Sequence, residues 1–151
     1  MRSLLPVFIL SLCFIVSGCS TTSSQLREDS EYNYIFTVNQ NYQSVYRKIL
    51  PMMRECFERN VVTAHMVVQA DLYNDIKIGN ISAIFRTALS SRTHVTIDVA
   101  ALENNRAEVT VFALVPSRVK AVEEWVEDGS TKCSSQRNKV KKPDVVNEHQ
   151  Q

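Results

Sequence analysis

Two histidines and two aspartates are the residues of this chain best placed to do chemistry. His65, His94, Asp71 and Asp98 fall on the polar phase of runs that alternate apolar and polar residues, so each is expected on the non-core face of a strand. Two imidazoles and a carboxylate on one face can hold zinc or copper, or relay a proton. Solvated strand residues look the same in sequence, and that plainer reading is preferred. No short ligand spacing links the histidines, and nothing in the sequence makes their strands neighbours. No serine lies in a Gly-x-Ser-x-Gly elbow. Three glycines in the whole chain leave no phosphate-cradling loop. The residues therefore point to no catalytic group, no metal and no cofactor, and the chain reads as a non-enzyme.

The N-terminus carries a sharper signal. Arg2 precedes the mostly apolar run Leu4 to Val16, which Val16-Ser17-Gly18-Cys19 closes. An aliphatic residue, two small residues and a cysteine in that order resemble the lipobox of bacterial lipoproteins. The resemblance implies that residues 1–18 are a signal peptide and that the Cys19 thiol receives a diacylglycerol. Cleavage then leaves Cys19 as an acylated, palmitate-bearing N-terminus. The apolar run is shorter than the roughly 20 residues of a membrane-spanning helix, so residues 1–18 are set apart from the fold. Ser20, rather than Asp, after the cysteine resembles an outer-membrane address, with the domain facing the periplasm or the cell surface.

Without residues 1–18 the chain loses Arg2, and its 17 basic residues become 16 against 16 acidic ones. A neutral body argues against a nucleic-acid partner and against general attraction to anionic lipid. The membrane is expected to be held through the acyl chains on Cys19. Of four cysteines, Cys13 leaves with the signal peptide and Cys19 takes the lipid. Cys56 and Cys133 remain as a pair in an exported, oxidising setting, with no CxxC motif and no clustered histidines. They are expected to form a disulfide.

Residues 19–32 are polar and aperiodic, and read as a flexible lipidated tether. A single domain is expected over 33–133. Tyr34 to Val38 has the β-branched and aromatic content of a strand. Tyr42 to Phe57 repeats apolar residues at helical spacing, with Pro51 expected to kink or split the helix. Val62 to Tyr73 alternates, placing Val62, Ala64, Met66, Val68, Ala70 and Leu72 on the core face. Ile76 to Phe85 pairs back across a turn at Asn74-Asp75, with an apolar phase shift at Gly79-Asn80 that suggests a β-bulge. Strands around Val95–Val99 and Glu108–Val115 are separated by a turn at 103–106. A last helix enters at Pro116-Ser117, carries Val119, Val122, Trp125 and Val126 as its apolar stripe, and stops at Gly129. Residues 134–151, with Arg137, Lys139, Lys141 and Lys142, read as a disordered basic tail. Its solubilising role outweighs weak contact with anionic lipid, lipopolysaccharide or peptidoglycan.

The order β-α-β-β-β-β-α implies an α+β two-layer sandwich, an antiparallel sheet with two helices on one face. In element order and lipobox it resembles helix-grip-like domains of envelope lipoproteins. The open polar face, with Thr63, His65, Gln69 and Thr96, is the expected docking face for an envelope protein partner. The expected role is a non-enzymatic assembly or docking accessory. The alternative is a carrier holding a small ligand or lipid in an apolar cavity between sheet and helices.

Overall fold

The computed structural model describes residues 21–30 and 32–133; the lipobox with Cys19 and the tail over 134–151 lie outside the described residues. The described residues form an α+β fold, with three helices and a six-stranded antiparallel open sheet. Helix α1 spans Ser23–Asp29, β1 Tyr32–Val38 and α2 Tyr42–Phe57. Then come β2 Arg59–Val61, β3 Ala64–Tyr73, β4 Ile78–Thr87, β5 Ser91–Leu102 and β6 Arg106–Ala113, and finally α3 Pro116–Glu127. The sheet order is β1-β6-β5-β4-β3-β2. Strands β2 to β6 are one meander, and β1 closes onto β6 because α2 carries the chain across the sheet to the far edge.

The inner face is apolar by alternation. Ile81, Ala83, Val95, Ile97, Val99, Val109 and Val111 are buried there beneath Val45, Ile49 and Met53 of α2 and Val122, Trp125 and Val126 of α3. Helix α2 runs unbroken through Pro51, which is exposed. The expected split does not occur. The ring removes one N–H donor on the solvent side, where the freed carbonyl can meet water, while the buried stripe holds the helix on both sides of it. Asn41 caps α2 by accepting from the Gln43 N–H at 2.9 Å.

Two elements were not expected. Residues 23–29, read as tether, form α1, and residues 59–61 form the short edge strand β2. The turn between β2 and β3 consequently takes Val62 and Thr63 out of the strand, and Val62 stands fully exposed instead of in the core. Ile76 and Ile78 are likewise exposed, so the inner face of β4 begins at Gly79. There a side chain would collide with the Tyr46 ring, since a Cβ would stand 2.5 Å from its Cδ2. The β5–β6 turn is as expected: residues 103–105 connect the paired Leu102 and Arg106, with Asn104 (φ 58°) and Asn105 (φ 57°) both left-handed, a region that asparagine enters more readily than most residues.

Cys56 and Cys133 lie at disulfide distance, with Cα atoms 5.1 Å apart across a sequence separation of 77. The bond ties the end of α2 to the segment that follows α3. Replacing both cysteines by serine is expected to lower unfolding stability by about 2–4 kcal/mol, chiefly by freeing the unfolded chain. A urea midpoint unchanged in the double variant would refute a structural role for the bond.

Candidate functional site

The outer face of the sheet is only partly open. Helix α1 folds back over its centre and is built to stay there. Thr22 caps it reciprocally: its Oγ1 accepts from the Gln25 N–H, and the Gln25 Oε1 accepts from the Thr22 N–H at 2.9 Å. Leu26 is buried against the sheet. Ser23 donates to the Ser82 hydroxyl at 3.2 Å, and Ser82 and Thr96 share a buried hydrogen bond of 3.1 Å. Arg27 grips Asp98 with a fork of two bonds, Nε to Oδ2 at 2.8 Å and Nη2 to Oδ1 at 2.7 Å. That hydrogen-bonded contact raises the guanidinium above its usual pKa against the opposing cost of burial. Just upstream, the Thr21 N–H donates to the Ser91 carbonyl at 3.1 Å and its carbonyl accepts from Thr93 at 3.0 Å.

The expected docking residues are therefore dispersed. Thr96 is fully buried beneath α1, Thr63 lies in the β2–β3 turn, and His65 and Gln69 are exposed on the outer face of β3. The two histidines do not share a face. The register between β4 and β5 shifts between Ala83 and Ile84, whose partners Val95 and Thr93 leave His94 as the extra residue. This bulge, expected instead at Gly79-Asn80, turns His94 to the helix side of the sheet. It stands there edge-on to Phe85, with ring centroids 6.1 Å apart. Asp98 is held by Arg27 and by the Asn80 amide, and Asp71 is exposed. Among the described residues no group of three His, Cys, Asp or Glu comes together as a metal site.

Ser117-Arg118-Val119-Lys120 has Ser-x-x-Lys spacing, a signal that escaped the sequence reading. Lys120 is exposed, whereas a lysine that serves as a base is desolvated. The pair is ordinary helix surface.

Two recesses matter more. One, of about 490 Å³, lies on the outer face beside α1, with Tyr73, Ile76 and Ile78 as apolar walls and Asp71, Glu108 and the Arg27–Asp98 pair around them. Tyr73, Ile76 and Ile78 are 49%, 61% and 37% exposed in that order. The other, of about 380 Å³, opens near the disulfide and is lined by Phe57, Met66, Phe85, His94, Arg59 and Arg118. The Arg118 guanidinium lies 4.8 Å over the Phe57 ring and donates to the Cys133 carbonyl. The centre of the interface between the sheet and the two long helices is filled by their own side chains, Val45, Ile49, Met53 and Trp125 among them, and the recess at Phe57 and His94 opens at its edge.

Two outcomes follow for stability. Leu26→Ala should cost about 2–4 kcal/mol if α1 is part of the cooperative fold, and hydrogen exchange in residues 23–29 should rise with it; exchange already as fast as in an unfolded peptide would refute docked α1. Burial pushes the His94 imidazole below its usual 6.5, and the charges of Arg92 and Arg118 push the same way. The unfolded chain then binds a proton first as pH falls. Stability is intact above the unfolded value and declines as pH falls towards the lower folded one. His94→Gln should flatten that decline in urea midpoints between about pH 7.5 and 5.5, and an identical decline in the variant would contradict it.

Neither a protein-family model nor a curated protein matches this chain, and its own surface is the guide to what it does.

Proposed function

We propose that the chain is an envelope lipoprotein, held to the outer membrane through acyl chains on Cys19, that works without catalysis as a docking module for another envelope protein. The sheet with α2 and α3 is read as a helix-grip-like two-layer core, to which α1 adds a partial third layer. The observation that carries the docking reading is the recess of Tyr73, Ile76 and Ile78. Apolar side chains at this exposure beside Asp71 and Glu108 suit a partner segment that brings aliphatic and basic residues together. The recess lies towards the turn end of β3 and β4, remote from Thr21, so an anchored domain would present it away from the lipid. The centre of the interior is filled, and the recess of about 380 Å³ between Phe57 of α2 and Met66 and Phe85 of the sheet is the space that a carrier role would use.

The test is photocrosslinking in cells with the reactive side chain at Tyr73 or Ile78, and at buried Thr96 as a control. One envelope protein should dominate the adducts at the first two positions. Asp71→Lys with Glu108→Lys should cut its yield about tenfold. Adducts indifferent to these charges, or equal at Thr96, would refute the recess as the docking site. Intact mass of the mature protein should show an acylated N-terminal Cys19, lost in Cys19→Ser; an unmodified Cys19 would refute the anchor.

A further inference from the structure

The two ends of the sheet are chemically unlike. At one end stand the β2–β3 turn at Val62-Thr63, the β4–β5 turn around Leu89, the β6–α3 junction at Val115, and Thr21 bridged to Arg92. Large apolar side chains project from these tips: Val62 is 103% exposed, Leu89 91%, Val61 61% and Val115 46%. Arg59, Arg86 and Arg92 are exposed around them, and no Asp or Glu occurs in residues 59–65, 85–95 or 112–120. These three arginines take no part in the ion pairs of the described residues, Arg27–Asp98 and Arg54–Glu58. The opposite end carries Asp71, Asp75, Glu103 and Glu108 against Lys77 and Arg106. A chain whose formal net charge is only +1 is polarised from end to end.

We infer that the Arg59–Arg86–Arg92 end rests on the membrane surface, with Leu89 and Val62 entering the headgroup boundary and the arginines meeting the phosphates of anionic phospholipid. The inference rests on the anchored reading of Cys19 and adds an orientation to it. Thr21 is fastened to β5 by two backbone bonds, and Cys19 lies two residues upstream of it, within about 7 Å even if fully extended. An acylated Cys19 would hold this end, and no other, at the lipid surface. Aliphatic tips among cations are the chemistry that the interface accepts: apolar groups leave water, and each nearby Arg or Lys is drawn to anionic lipid. A protein covering this end would have to supply carboxylates for the same arginines. The membrane is favoured because the chain towards the acyl group leaves from here.

The full lipoprotein would be reconstituted into vesicles of phosphatidylethanolamine and phosphatidylglycerol carrying a nitroxide near the headgroup. Two variants place a new fluorophore: Leu89→Trp at the inferred membrane end and Ile76→Trp at the other, each corrected for the single native tryptophan, Trp125, which is 2% exposed. Both replaced side chains are exposed, so the fold should tolerate the change. Quenching at Leu89→Trp should exceed that at Ile76→Trp by about twofold or more. It should fall when Arg86→Gln and Arg92→Gln are added or when phosphatidylcholine replaces the anionic lipid. Equal quenching at the two positions would overturn the orientation, and so would quenching at Leu89→Trp indifferent to both charge changes. The anchor is judged separately, by the acyl mass on Cys19. An acylated chain with equal quenching sinks only the orientation, and an unacylated chain sinks the anchor.

Discussion

Every other element takes its place from the packing of α2 on the sheet. Val45, Ile49 and Met53 have no exposed surface, and they meet a floor in which small residues alternate with branched ones, Gly79, Ile81 and Ala83 along β4 and Val95, Ile97 and Val99 along β5. The lack of a side chain at Gly79 lets the Tyr46 ring come down onto the strand. Once α2 lies there, β1 and β2 are forced to opposite edges, because the helix connects them across the full width of the sheet. Helix α3 then fills the groove beside it, and Lys48 of α2 reaches the Val126 carbonyl at 3.4 Å.

The inner face is thus a conventional hydrophobic interface. The outer face is held differently, by polar contacts that exclude water only where α1 lies. Leu26 supplies the apolar area there, and the Ser82–Thr96 hydroxyl pair and the Arg27–Asp98 fork pair polar groups that it covers, while the Ser30 hydroxyl at the helix C-cap is buried without a partner among the described residues. Each buried hydroxyl left without such a partner costs about 1–3 kcal/mol. The rest of the outer face is left wet, with Tyr73 and Ile78 standing beside charged neighbours.

Much of this was legible from residue pattern. The period of α2, the entrance of α3 at Pro116 and the Glu103–Arg106 turn rest on local signals and the pairing of Cys56 with Cys133 on cysteine count, and the structure carries each of them. What escaped was held by distant contacts. Helix α1 has one large apolar residue in seven, so it shows no periodicity, and so short a helix forms only when something covers it. Strand β2 has three residues, all exposed, and its edge pairing leaves no alternation to read. The bulge at His94 could not be seen because Val95, Ile97 and Val99 alternate identically with or without an inserted residue before them. Only the register against β4 reveals it. The imagined histidine site failed for that reason, since one extra residue moved one imidazole through the sheet.

The position of the disulfide gives the C-terminal boundary a mechanical meaning. Cys133 is clamped to the end of α2, and the Trp125 Nε1–H and the Arg118 guanidinium bond the carbonyls of Lys132 and Cys133. Lys132 and Cys133 are therefore held by Trp125, by Arg118 and by the bridge to Cys56. Any pull on the chain beyond Cys133 is transmitted to the covalent bridge and stops there, before it can peel α3 from the sheet.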